Sequence, residues 1–181
     1  MHVDSLEPAR QDKVVTATLE CIRRSEQLYD RAFPRPLISF DLTGRCAGMY
    51  RVHRGRQQIR YNPYIFSKYF ADNLASTVPH EVAHFVVHAL HGRRRVRPHG
   101  VEWREVMHRL GAEPSVTCCY DLGGIPQRRQ RRYEYLCGCR SHAVSSVRHN
   151  RVQSGTGRYL CRLCRQPLVF SGGEPEWVTA G

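Results

Sequence analysis

Apolar residues near the start of the chain recur with helical spacing. Val15, Leu19 and Ile22, then Leu28 and Tyr29, predict an amphipathic helix from about Pro8 to Ala32. Such a stripe needs a surface to cover, and the next segments supply one. Leu37 to Leu42, Ala47 to Val52 and Gln57 to Tyr61 are short, rich in apolar or β-branched residues, and separated by Gly44 and by Arg54-Gly55. That punctuation predicts strands joined by turns in a small antiparallel or mixed sheet. Asn62-Pro63 closes the last strand, and Pro63 suits the first position of a short helix through Phe70. A further helix is expected from a cap at Asp72 or Asn73 towards Leu90. Pro79 falls inside it and, lacking an N–H, should bend it or reset its start. After the basic stretch His91 to Pro98, Trp103, Val106, Met107 and Leu110 return to helical spacing until Gly111 supplies a stop.

Helical periodicity then disappears. Gly123-Gly124-Ile125-Pro126 leads into the run Gln127 to Arg132 (QRRQRR), followed by a cysteine-containing segment punctuated by glycines, and the last ten residues from Gly172 read as a loose tail. A chain of 181 residues has room for one sizeable core and a small module beside it. The expected organisation is therefore an α+β domain over residues 1–126, a basic linker with a small β module over 127–171, and a tail over 172–181.

Composition narrows the setting. No window approaches the roughly 20 consecutive apolar residues that cross a bilayer. The first residues, MHVDSLEPARQDK, lack the pattern of an export signal, so a cytoplasmic protein without membrane contact is expected. In a reducing compartment the eight cysteines point to metal ligation or plain burial before disulfides. The formal net charge of +12 favours polyanionic partners such as DNA or RNA. All but Lys13 and Lys68 of the 28 basic residues are arginines, and so strong a skew also arises from genomic base composition alone.

Candidate chemistry begins at His80-Glu81-Val82-Ala83-His84. Two histidines four residues apart lie on one face of a helix and can share an ion, with Glu81 beside them. A catalytic zinc uses three protein ligands, lowers the pKa of water to roughly 7 and polarises a carbonyl, while Glu81 serves as general base. Val82, Ala83, Phe85, Val86 and Val87 suit a buried helix, where uncompensated polar groups would be costly. The third ligand must come from elsewhere. His88 and His91 share the face but lie one and two turns further along, and Val87 and Leu90 stand where the metzincin continuation needs Gly and His. His99, at the start of the next helix, is the preferred candidate, with Glu102, Glu105 and His108 as alternatives.

A second donor set follows. Cys161-x-x-Cys164 has knuckle spacing, and Cys137-x-Cys139-x-x-His142 lies upstream, so four of these five residues would close a structural zinc site. The segment from Arg132 to Phe170, roughly 40 residues, is too small to hold itself together by burial alone. Cys21, Cys46, Cys118 and Cys119 lack ligand spacing and read as small hydrophobes. Arg128, Arg129, Arg131, Arg132 and Arg148 surround this module, with Tyr133, Tyr135 and Tyr159 interleaved, a mixture suited to single-stranded nucleic acid unless the tyrosines simply pack the module. Arg93, Arg94, Arg95 and Arg97 form a second basic cluster next to the proposed catalytic zinc.

The segments AGMYRV, IRYNPYIF, VPHEVAHFVVHALHG and HGVEWREVMHRLGA, in this order within a stretch from Ser39 to Ala112, resemble the SprT-like domain, as YLCGCRSH, VRHNRV and RYLCRLC resemble the zinc ribbon that follows it in bacterial SprT proteins. The C-x-C opening departs from the commoner C-x-x-C ribbon. The resemblance implies a zincin-like metalloprotease domain followed by a ribbon, with His80, His84 and His99 as zinc ligands and Glu81 as base. It further implies a zinc-dependent endopeptidase related to Spartan, which cuts proteins trapped on DNA. A nucleic-acid-binding or transcription-associated zinc protein without essential protease activity is the competing expectation.

Overall fold

The computed structural model describes residues 2–92, 96–115, 120–127 and 129–179. They divide into two compact units, Met1–Pro126 and Gln127–Gly181. Among the described residues no helix is long and apolar enough to cross a membrane.

The first unit opens with α1 (Pro8–Leu28), whose buried face is Val14, Thr18, Ile22 and Ser25. Of the stripe expected from the sequence only Ile22 is fully buried, and Leu19 is 38% exposed. The reason is that half of the true stripe is polar. Thr18 and Ser25 return their hydroxyl hydrogens to the carbonyls of Val14 (2.7 Å) and Cys21 (2.9 Å), which satisfies them inside the core. The helix stops at Leu28, short of Ala32, and Asp30 takes a left-handed backbone conformation directly after it.

Three strands follow, β1 (Leu37–Ser39), β2 (Gly48–His53) and β3 (Arg56–Tyr61), in the order β1-β3-β2. The sheet is mixed, with β1 parallel and β2 antiparallel to β3. Arg54 and Gly55, both at positive φ, make the two-residue turn between β2 and β3 whose twist suits a hairpin. Central β3 carries the fully buried Ile59 and Tyr61. Asn62 then caps α2 (Pro63–Lys68), accepting from the amides of Tyr64 and Ile65, with Pro63 in the first turn as expected.

The helix anticipated from Asp72 or Asn73 is two helices. α3 (Phe70–Ala75) contains both of those residues, and α4 (Thr77–His91) restarts after Ser76. Pro79 sits in the first turn of α4, where amide donors have no intrahelical acceptor, so its missing N–H costs nothing there. Nine of the first eleven positions of α4, from Thr77 to Val87, are buried, and the helix packs against α1, α3, β2 and β3. It also packs on α5 (Val101–Arg109), whose Trp103, Val106 and Met107 are buried, and Gly111 at φ +70° ends that segment as expected.

The second unit is built on β4 (Arg129–Leu136). β5 (Ser141–Ser145) pairs with β4, and both β6 (Val169–Phe170) and β7 (Glu176–Thr179) pair with it at different stretches, all antiparallel. Two features differ from expectation. α6 (Ser146–Gln153) follows β5 directly, and the residues expected to form a loose tail contain β7, which pairs Arg129 to Arg132 with Thr179 to Glu176. The buried apolar residues of this unit, among those described, are Tyr135, Val144 and Cys161.

Candidate functional site

His80 and His84 stand one turn apart on α4, as their spacing requires. His99 lies in the turn ahead of α5, not on the helix, and Gly100 occupies the cap position. The backbone of His99 is left-handed at φ +55°, uncommon for a residue with a side chain, so the surrounding structure holds it there. The three Nε2 atoms form a triangle with sides of 3.3 Å (His80 to His84), 3.0 Å (His84 to His99) and 3.1 Å (His80 to His99). Tetrahedral zinc with Zn–N bonds of 2.0–2.1 Å separates neighbouring nitrogens by about 3.3 Å, so the triangle fits that donor set. Glu102, Glu105 and His108 do not join the group. Glu105 pairs instead with Arg109, and the ring of His88 packs near Tyr50.

Trp103 floors the site. It is 1% exposed, and its ring centroid lies 4.8 Å from His80, 5.6 Å from His84 and 4.8 Å from His99. Its indole N–H donates to the His80 carbonyl at 3.3 Å. Burial pushes His84 down to about 3, with His80 and His99 adding to the effect. Burial likewise pushes His80 down to about 4, helped by His99 and opposed by a backbone hydrogen bond with Ser115. Neutral imidazoles are the form that binds a metal. Glu81 is 5% exposed, and burial raises its carboxyl to about 7 against the opposing pull of the Tyr50 backbone amide. Two cavities adjoin the triangle. One of about 280 Å³ is lined by Arg45, His80, Glu81, Glu113 and Tyr120, and one of about 270 Å³ by Tyr50, His84, Arg97 and Trp103.

In the second unit the Sγ atoms of Cys137, Cys139, Cys161 and Cys164 all lie within 4.8 Å of one another. Cys137 and Cys139 are 3.4 Å apart, Cys139 and Cys161 3.7 Å, close to the roughly 3.8 Å edge of a tetrahedral four-sulfur site with Zn–S bonds near 2.3 Å. His142 Nε2 lies 3.2 Å from Cys137 Sγ but outside this group. Backbone amides of Cys139 and Cys164 favour the thiolates of Cys137 and Cys161 respectively. Cys21 and Cys46 are free thiols, and burial pushes Cys21 up to about 12. Cys118 and Cys119 lie outside the described residues.

Of the basic residues singled out from the sequence, Arg93, Arg94, Arg95 and Arg128 also lie outside the described residues. Arg129 and Arg131 are exposed on β4, Arg132 is half-buried, and Arg148 is exposed on α6. The interleaved tyrosines pack this unit. Tyr135 is fully buried with its hydroxyl 3.1 Å from His149 Nδ1, Tyr133 stacks on His149 at 3.6 Å, and Tyr159 lies beneath Arg148. The aromatic side chain left half exposed is Trp177 on β7, with the guanidinium groups of Arg131 and Arg129 at 4.8 and 6.0 Å from its ring centre. The sequence reading missed it because the residue lay in the supposed tail. The flooring role of Trp103 was signalled only by its i+4 spacing from His99.

Residues 18–122 match the SprT-like family. Proteins named Protein SprT are similar along most of their length. The one from Pseudomonas savastanoi pv. phaseolicola is 37% identical over 163 residues, covering 89% of this chain and 96% of the relative. That from Vibrio parahaemolyticus is 36% identical (88% and 93% covered), and that from Pseudomonas paraeruginosa 40% identical (84% and 90%). No solved structure matches the chain.

Proposed function

This chain belongs to the SprT-like family, and on that premise we propose that it is a zinc-dependent metalloendopeptidase acting on DNA-associated or DNA-crosslinked proteins in the cytoplasm. The observation that carries the reading is the triangle of His80, His84 and His99 Nε2 atoms with the buried Glu81 adjoining it on α4. A structural zinc usually takes four protein ligands and needs no neighbouring carboxylate, whereas three ligands leave one position open. When bound there, zinc supplies Lewis acidity that lowers the pKa of water and polarises the scissile carbonyl.

The chain's own residues do the rest. Glu81 accepts a proton from the attacking water and returns it to the departing amine nitrogen. Burial of Glu81 and Trp103 keeps bulk water from the carboxylate and from the floor of the site. On this reading the first unit is a zincin-like catalytic domain, and the second is a zinc ribbon whose Cys137, Cys139, Cys161 and Cys164 hold a structural zinc. The nucleic-acid part rests on the +12 net charge and on the exposed Arg129, Arg131 and Arg148. Arg97, which lines the cavity beside His84, would draw a polyanion towards the site.

The test compares wild type with Glu81→Gln for zinc content and for cleavage of a basic DNA-binding protein, with and without single-stranded DNA. The expected outcome is about two zinc ions in both proteins, as two such donor sets require, DNA-stimulated cleavage by wild type, and a loss of roughly 100-fold or more in the variant. A Glu81→Gln protein that cleaves like wild type would overturn the mechanism. Zinc-loaded wild type that cleaves nothing but binds DNA would favour a nucleic-acid-binding or transcription-associated role. Cleavage by wild type that DNA leaves unchanged would remove the nucleic-acid part alone.

A further inference from the structure

We propose that Gly48, together with the Thr77 methyl group beside it, is a positioning residue for Glu81: the space left by the absent side chain is where the Glu81 side chain is held. The proposal rests on the reading of Glu81 as the base. A Cβ added to Gly48 would lie 2.6 Å from Glu81 Cγ, 2.7 Å from Glu81 Oε1 and 2.8 Å from Thr77 Cγ2. All three distances are well inside van der Waals contact, so something must move. Gly48 is not among the glycines at positive φ, so glycine is needed at this position for space and not for backbone conformation.

What would move is decided by how firmly each neighbour is held. The backbone cannot retreat, because Gly48 is paired with the fully buried Tyr61 on β3, and the preceding carbonyl, of Ala47, accepts from the Asn62 amide at 2.8 Å. Thr77 cannot turn away either. It is β-branched and buried, and its hydroxyl donates to Asn73 Oδ1 at 2.7 Å, while Asn73 in turn donates to the Tyr69 carbonyl at 2.7 Å. That leaves the Glu81 side chain, an unbranched chain with three rotatable bonds whose carboxylate is held by the Tyr50 backbone amide, as the part that yields. Relief to ordinary contact moves it by about 1 Å, and a misplacement of that size in a reacting group costs up to about 100-fold in rate. The start of β2 thus presses the base from one side while α4 carries it together with two of the metal ligands.

The experiment uses the whole zinc-loaded chain. Gly48→Ala should lower kcat tenfold or more with KM, zinc content and the thermal unfolding transition essentially unchanged. A merely structural role would instead show as a lowered transition or lost zinc. A kcat within twofold of wild type, or a loss carried by KM or by zinc content, overturns the proposal. Should Gly48→Ala lack a cooperative transition, Thr77→Val and Thr77→Ala decide. The valine keeps the methyl wall with a second methyl in place of the hydroxyl, and its β-branch still fixes χ1, so it should hold kcat within about threefold, whereas the alanine should lose tenfold. Equal loss in the two, or the reverse order, overturns the proposal. Glu81→Gln, assayed alongside, separates the two levels. If it cleaves within twofold of wild type, the reading of the base fails and takes this proposal with it. If it is inactive while Gly48→Ala is unaffected, only the positioning role fails.

Discussion

At the scale of single residues the two donor sets differ in what holds them. His80 and His84 are placed by helix geometry, whereas His99 reaches the same point from a left-handed turn that glycine would occupy more easily. Its conformation is therefore imposed by what it faces. In the second unit spacing alone leaves Cys139 and His142 as alternatives, and the structure brings four sulfurs together, Cys139 among them, with His142 touching Cys137 from outside. Cys139→Ala should accordingly lose the ribbon zinc, and His142→Ala should retain it with weaker affinity, since a group that orients a ligand typically contributes about 10–100-fold. Zinc content after dialysis against a competing chelator checks both, and retention by the cysteine variant with loss by the histidine variant would reverse the assignment.

At the scale of elements, packing overrode the sequence pattern wherever polar residues found partners inside. The α1 face includes Thr18 and Ser25 because their hydroxyls are satisfied within the helix, with Thr18 also 2.9 Å from the Tyr61 hydroxyl. No hydropathy count reveals that. The sheet is tied by an ion pair between elements. Arg60 on β3 makes two short contacts, 2.9 and 3.0 Å, to the carboxylate of Asp41, two residues beyond β1. Hydrogen bonding from Arg60, assisted by Ser39, holds the Asp41 carboxyl below its ordinary value. A depressed carboxyl pKa stabilises the fold above the unfolded value, and the contribution disappears as pH falls through the folded value. Asp41→Asn should therefore lower the unfolding temperature at neutral pH and match wild type in strong acid. The two curves should converge only below the ordinary carboxylate pKa of about 4. The Asp41 side chain is 55% exposed, so the difference should not exceed about 1 kcal/mol. Thermal melts from pH 7 downwards check it, and a constant difference across that range would contradict the account.

At the scale of the whole molecule the two units should differ in how far a bound metal holds them folded. The first has a core running from Leu6 to Leu110 through α1, β3, α4 and α5, while among the described residues the second buries little apolar surface beyond Tyr135, Val144 and Cys161. A strong chelator should abolish cleavage while leaving the first unit folded, and should unfold the second, because a segment with so little buried surface takes its folding free energy from the metal. Hydrogen exchange resolved along the chain would show protection lost after Gln127 and kept before Pro126; uniform loss, or none, would refute this. By itself the sequence determined what local spacing can carry. The histidine pair on one helix face, the paired cysteines, the hairpin turn at Arg54-Gly55 and the helix start at Pro63 all follow from interactions within a few residues. Only the tertiary structure decided that the residues near the C-terminus extend the sheet as β7 and that His99 completes the triangle. It alone also placed Gly48 against Glu81. Each of these joins groups far apart in sequence, and such contacts depend on which surfaces the chain buries together, a property no single segment encodes.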